Sequence, residues 1–324
     1  MALPQKDFTK APYSFSNLQT LFTMKKVLKW VGIVLLALLL IIVATAWFFS
    51  SKFNSKFEKV YSVTPASIVI PTDSASLERG RVLSVGCRSC HDVDMGGKVF
   101  FDDPNIGVLP SSNLTRAVGS ETEGYTDADF VRAMRHGLNK NGNPLMVMVS
   151  ESTTYLSDQD LGCLIAFLKA QPPINRKFAK RRFTFMSQVM AGAGLFGNLF
   201  AYDIIDHERA KNPVAALPIG PTVEYGEYMA NFSGCKVCHG TNFGGGKSPD
   251  PVSPPVPNIS MSGNPGKWTL EQFIQTFRTG KTPEGKAMDG KFMPFDGVAA
   301  HSDAEIEGIF NYIRSLPPAP VAVK

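Results

Sequence analysis

Polar and apolar positions follow different rules in different parts of this chain. Near the N-terminus they do not alternate: Trp30 to Phe49 is a run of twenty residues without a charge. At 1.5 Å per residue a helix of that length is ~30 Å long, the thickness of a bilayer's hydrocarbon core. The run predicts a transmembrane anchor over 27–50, with Trp30 and Trp47 near its two interfaces. Further on, the apolar positions take a helical period. Short helices are expected over 75–86 and 223–233. Helices over 126–136 and 269–279 open on Thr126 and Thr269 as N-caps, and helices over 157–170 and 302–315 open on Ser-Asp. In the last pair, Leu161, Leu164, Ile165 and Leu168 trace one stripe, as do Ile306, Ile309, Phe310 and Ile313. No stretch alternates as a strand, so the chain reads as all-α. Loops rich in Gly, Pro and Asn separate the helices and bury little, so something else must fill the centre.

The helical part is written twice. "ERGRVLSVGCRSCH" matches "EYGEYMANFSGCKVCH", and "SSNLT" matches "VPNIS". "GYTDADFVRAMRHG" matches "KWTLEQFIQTFRTG", and "LSDQDLGCLIAFLKAQPP" matches "HSDAEIEGIFNYIRSLPP". The order is the same, which predicts a duplicated domain of about 100 residues at 72–172 and 216–318. Residues 173–215 join the halves. Their "NRKFAKRR" is basic, and their "FMSQVMAGAGLFGNLFAY" is apolar but too interrupted to span a bilayer. A helical linker packed on one domain is expected, with a membrane-surface or partner-docking segment as the alternative.

Charge adds an orientation. The net charge of +5 is concentrated in residues 1–59, where eight Lys face only Asp7 and Glu58. Lys25, Lys26 and Lys29 favour a cytoplasmic N-terminus over 1–26, so that everything beyond residue 50 is exported. In a bacterium that places the two halves in the periplasm, held at the inner membrane by a single-pass anchor. "ATA" at 44–46 would suit a cleaved signal peptide, but the apolar run is longer than a signal core and continues past it. Met24 opens a stretch like a natural start, so residues 1–23 are expected to be irrelevant or disordered. The rest of the chain is close to neutral, which argues against a nucleic-acid partner.

The chemistry lies in the cysteines: 87, 90, 163, 235 and 238. Four form two Cys-x-x-Cys pairs, each followed at once by His, namely Cys87-Cys90-His91 and Cys235-Cys238-His239. A zinc site needs four ligands close together, and these pairs lie about 150 residues apart with no spaced His pair. A thioredoxin-like dithiol needs a βαβ setting that is absent. Covalent attachment of a c-type haem fits: two thiols on one helical turn reach one porphyrin edge, and the next residue carries an imidazole beneath the iron. Two haem c groups would also fill the two empty centres.

With these motifs each half resembles a class I cytochrome c, and the ordered set is similar to membrane-anchored dihaem cytochromes, the cytochrome subunits of periplasmic alcohol and aldehyde dehydrogenases. Gly80 and Gly226, the attachment sets, the Asn113 and Asn258 blocks, Tyr125, Trp268, Phe167 and Tyr312 carry the likeness. It implies that the first and last helices of each half cross, Gly80 near Phe167 and Gly226 near Tyr312. It also implies a proximal His and a distal Met at each iron, the Met drawn from the loop before the last helix. Met148 and Met293 each lie ten residues before the Asp of the Ser-Asp cap, with Met146 and Met288 as the competing residues. The family's Pro follows Met293 but not Met148, so the Met148 loop is expected to be the less rigid.

The function expected is electron transfer, as a carrier or as the electron-accepting subunit of a membrane dehydrogenase or oxidase complex. A dihaem peroxidase is the alternative, but it would need one open iron beside acid and base groups, and no such set recurs. His136 stands where the repeat has Thr279 and is expected on the surface; His207 and His301 occupy no repeated position. Cys163 faces Gly308 and reads as a small buried apolar residue. Residues 72–172 carry nine basic and thirteen acidic side chains, and 216–318 carry eight and ten, so a redox partner with a basic face is expected.

Overall fold

The computed structural model describes residues 16–248 and 253–320. Helix α1 (Ser16–Glu58) overruns the expected span at both ends. Part of the 1–23 segment is therefore helical, and residues 1–15 lie outside the described residues. No protein covers the apolar part of α1. Its last two turns behave differently: Ser50 and Phe53 are buried, so this end is part of the folded body.

The first repeat runs through α2 (Ser74–Leu83), a tight turn at Ser84–Cys87, α3 (Arg88–His91), α4 (Asp127–His136), α5 (Ser150–Thr153) and α6 (Asp158–Ala170). The joining segment forms α7 (Phe185–Gly192), α8 (Ala201–Ile204) and α9 (His207–Lys211). The second repeat follows with α10 (Val223–Phe232), α11 (Cys235–His239), α12 (Leu270–Thr279), α13 (Phe295–Ala299) and α14 (Asp303–Ser315). The expected caps are made. Thr126 and Thr269 each close a capping box, with Asp129 and Gln272, while Ser157 accepts from Asp160 N–H and Ser302 boxes with Glu305. Gly137 and Gly280 end α4 and α12 in the left-handed conformation that glycine tolerates.

The architecture is mostly helical, as expected, with one correction. A small antiparallel sheet of β1 (Val99–Asp103), β2 (Gly107–Pro110) and β3 (Arg182–Phe183) lies beside the first repeat. Its strands are too short to print an alternating pattern, and β3 comes from the joining segment, far from its partner in sequence.

Each repeat is built around a crossing of its first and last helices. A Cβ on Gly80 would sit 2.0 Å from the carbonyl oxygen of Cys163 and 2.7 Å from Phe167 Cβ. One on Gly226 would sit 1.8 Å from the carbonyl oxygen of Gly308. Only glycine allows backbones this close. Cys163 and Gly308 are equivalent positions, so the crossing centres on them, and Cys163 is buried as expected. Tyr312 lies one turn further along α14, where its hydroxyl donates to Glu227 at 3.0 Å. All eight residues of the two apolar stripes are buried.

One apolar core runs through both repeats, from Leu83, Phe130 and Leu164 in the first to Met229, Phe273 and Ile309 in the second. A buried polar knot lies in the same seam. Arg79 forks onto Asp160 with two hydrogen bonds of 2.8 Å, reaches Glu305 at 2.6 Å and donates to the Tyr225 hydroxyl at 3.0 Å. Tyr225 donates to Glu305 at 2.8 Å, and Tyr228 donates to Asp160 at 2.6 Å. Burial alone would lower the Arg79 pKa, yet its acidic neighbours, Asp160 first, raise it above the ordinary value. Burial would raise the Glu305 carboxyl, but His301, the Ser302 N–H and Arg79 hold it well below the carboxylate range.

Candidate functional site

The two attachment sets are presented in the same way. Cys87 ends the tight turn after α2, and Cys90 and His91 lie on α3; in the second repeat Cys235, Cys238 and His239 all lie on α11. No disulfide joins either pair. Burial pushes the Cys87 and Cys235 thiols up to about 11, so both are held protonated at neutral pH.

The imidazoles are buried and fixed. His91 Nδ1 lies 2.7 Å from the Ser112 carbonyl, and His239 Nδ1 lies 2.9 Å from the Pro257 carbonyl. A carbonyl can only accept, so Nδ1 carries the proton and Nε2 keeps a free lone pair. Burial lowers both imidazole pKa values, which favours the neutral, ligating form. The carbonyls are held in place by the repeated Asn blocks. Asn113 Oδ1 accepts from Thr115 N–H and hydroxyl, as Asn258 Oδ1 does from Ser260. Leu114 N–H bonds the Met95 carbonyl and Ile259 N–H bonds that of Phe243, closing matching loops around each His. Only the matching of "SSNLT" with "VPNIS" hinted at this support.

The methionine loops begin alike. After the Gly137 and Gly280 caps, Leu145 and Met288 N–H groups bond back to those glycine carbonyls, each at 2.7 Å. Met288 is therefore the counterpart of Leu145. Met148 and Met293 each stand two residues before a short helix, α5 and α13 respectively, and both are half-buried. Met146 pairs its backbone with Phe200, and Met148 packs on the cluster of Ala201, Ile205 and Ala210. Nothing in the local sequence announced that the joining segment covers this loop.

The attachment turn of each repeat touches the methionine helix of the other. Gly86 Cα lies 3.7 Å from a Cβ built on Gly297 of α13, and Ser152 Oγ of α5 lies 3.3 Å from one built on Gly234. The exchange is reciprocal, as across a two-fold axis.

Other polar residues fall into place. His136 is 3% exposed, not on the surface as expected, because α8 and α9 lie over the end of α4. Burial, aided by His207 and Arg135, lowers its pKa to about 4. His301 is buried with Nδ1 3.2 Å from Glu305. Among the described residues no three His, Cys, Asp or Glu gather as a metal site by themselves. Arg135, which sequence reasoning passed over, is 1% exposed. Its Nη2 reaches the Leu156 carbonyl and Asp158, while Nε and Nη1 have no partner among the described residues. Buried guanidinium donors of this kind suit an acid-bearing prosthetic group such as haem. Thiols beside a neutral imidazole with a free Nε2, in a loop-rich domain, fit the same group.

Comparison with known proteins agrees with this geometry. The cytochrome c family model matches residues 77–172 and again 223–317. A fructose dehydrogenase cytochrome subunit of Gluconobacter japonicus is 24% identical over 284 residues, covering 78% of this chain and 54% of that protein. The cytochrome c subunit of a quinone alcohol dehydrogenase of Gluconacetobacter polyoxogenes is 25% identical over 280 residues, covering 76% and 57%. The cytochrome c subunit of a gluconate 2-dehydrogenase of Pantoea cypripedii is 25% identical over 272 residues, covering 75% and 60%. The chain spans little more than half the length of these relatives.

Proposed function

From the premise that this chain belongs to the cytochrome c family, with two domains for c-type haem and a role in electron transfer, we propose that it is the electron-accepting subunit of a membrane-bound dehydrogenase complex. It takes electrons from a catalytic partner on the periplasmic side and passes them to an acceptor at the membrane. It is a carrier rather than the catalytic unit.

In this reading Cys87 and Cys90 would hold one haem through thioether links, and Cys235 and Cys238 would hold the other. His91 and His239 would each offer the iron an imidazole nitrogen, and Met148 and Met293 a thioether sulfur. The bound haem contributes a one-electron couple, Fe(III)/Fe(II). The chain's own residues do the rest. The Ser112 and Pro257 carbonyls fix the imidazole tautomer and its orientation, which sets ligand basicity. Thioether sulfurs would favour the reduced iron and would occupy the position a substrate needs. Residues 27–50 anchor the chain with its N-terminus in the cytoplasm.

The observation that carries the reading is the doubled imidazole–carbonyl pair, His91–Ser112 and His239–Pro257. The test is co-purification of the full chain from solubilised membranes, followed by reduction of both haems with the copurified enzyme's substrate. Isolation alone, with no dehydrogenase activity that reduces it, overturns the proposed partner. Ready carbon monoxide binding to one reduced haem overturns the carrier in favour of a haem enzyme.

A further inference from the structure

The joining segment descends along the anchor. Phe183 packs on Phe53 and Phe57, Gln188 bonds Ser50 and Asn54, and a Cβ on Gly192 would strike the Phe49 carbonyl oxygen at 1.9 Å. Rising numbers on α7 thus meet falling numbers on α1, and the two helices are antiparallel. Phe49 is the last residue of the apolar run, so α7 ends level with the expected membrane boundary. The chain then turns at Ala193–Gly197 and climbs back to Phe200, which packs on Phe53 and Phe57.

The tip of this hairpin is apolar and unsupported. Leu195 is 68% exposed, and side chains built on Gly194 or Gly197 would meet nothing within 4 Å. From Phe183 to Tyr202 the chain carries no charge, while Arg181 and Arg182 immediately precede it and Lys52 stands one turn above Phe49 on α1. Arg181 is held over the Phe57 ring at 3.9 Å. An uncharged tip with cations above it is the profile of a segment seated at a lipid interface.

We infer that residues 190–197 dip into the interfacial layer of the same phospholipid bilayer that α1 crosses, as a second, shallow membrane contact. The surface it fits is the boundary between headgroups and acyl chains. This rests on α1 being a membrane anchor, and the test separates the two.

The holo full chain is reconstituted in phosphatidylcholine/phosphatidylglycerol vesicles in three versions: Leu195→Cys, Leu40→Cys in the span, and Val118→Cys on the exposed face of the first domain. In the holo-protein the attachment thiols are consumed, and Cys163 is buried. With a charged, water-soluble maleimide, Val118→Cys should label fully. Leu195→Cys should lose labelling as Leu40→Cys does, and a photoreactive phospholipid should then tag the 190–197 peptide. Leu195→Cys labelling like Val118→Cys while Leu40→Cys stays protected overturns the shallow contact and leaves the anchor standing. Labelling of Leu40→Cys overturns the anchor, and the contact with it. Leu195→Cys protected from both reagents means that protein covers the tip, which also overturns the inference.

Discussion

In the first domain the methionine loop is braced from outside. Val147 N–H bonds the Leu199 carbonyl at 2.8 Å, and Ala201 N–H bonds the Leu145 carbonyl at 2.9 Å, so the joining segment runs beside the loop like an added strand. In the second domain the loop braces itself. Met293 N–H bonds the Asp289 carbonyl at 2.9 Å, Phe295 N–H bonds the Met293 carbonyl at 2.7 Å, and Pro294 fixes φ between them. Two copies of one fold thus hold the same residue by unrelated means. The first loop is mechanically tied to the end of α1 through α7–α9, whereas the second depends on itself. A missing proline was expected to loosen the Met148 loop; a distant piece of chain supplies the restraint instead.

Five measurements break or sharpen that comparison. The largest effect is loss of a haem. Cys87→Ala with Cys90→Ala, or Cys235→Ala with Cys238→Ala, should each remove half the haem stain on a denaturing gel; if one pair removes all of it, the domains do not mature independently. Next comes the weak sulfur-to-iron band of the oxidised protein. Met148→Ala and Met293→Ala should each remove about half of it, while Met146→Ala should leave it intact. The reverse pattern for Met146 and Met148 would show that the joining segment shifts the first loop's register.

The seam tests whether the equivalent residues Arg79 and Tyr225 carry equal weight. Arg79→Met strands Asp160 and Glu305 and should cost about 3–5 kcal/mol in denaturant unfolding. Tyr225→Phe removes a hydroxyl from the same knot and should cost only about 1 kcal/mol. Acid should probe the knot from the other side. The depressed carboxyl of Glu305 contributes fully above its ordinary value of 4.5, and that contribution is lost as pH falls toward the lower folded value. Melting temperature should fall more steeply between pH 5 and 3 in the parent than in Glu305→Gln; equal slopes would remove Glu305 from the account. The smallest effect is expected from Ala201→Pro. It sits at the first position of α8, where proline's φ is tolerated, but its ring replaces the N–H that bonds Leu145, so that bond is lost and the two segments must part locally. The loosening should appear as easier displacement of Met148 by imidazole, with Met293 unchanged.

What the sequence disclosed follows from range. Helix ends are local events, and Thr126, Thr269, Ser157 and Ser302 announced them within a few residues. The attachment sets are likewise contiguous, and the Gly80 and Gly226 crossings were legible only through the family resemblance. What stayed hidden was made by residues far apart. Burial of His136 depends on α8 and α9, strand β3 pairs with a strand some 75 residues upstream, and the Arg79 knot joins four helices from both repeats. The acceptors that steady His91 and His239 are backbone carbonyls, which have no letter in a sequence.

The polar end of α1, from Ser50 to Glu58, rises about 13 Å above the apolar run. It is clasped by Phe183, Gln188, Gly192 and Phe200 and tied at its top by Lys56 to Asp203. Such an attachment is a mast and not a leash. A leash would let the domains sweep a volume and find partners at many heights; a mast confines them to one narrow layer and leaves only spin and lateral drift. With α1 seated in a membrane as proposed, encounters are counted per area of that membrane, so dilution of the lipid, and not of the surrounding liquid, would slow the traffic of electrons.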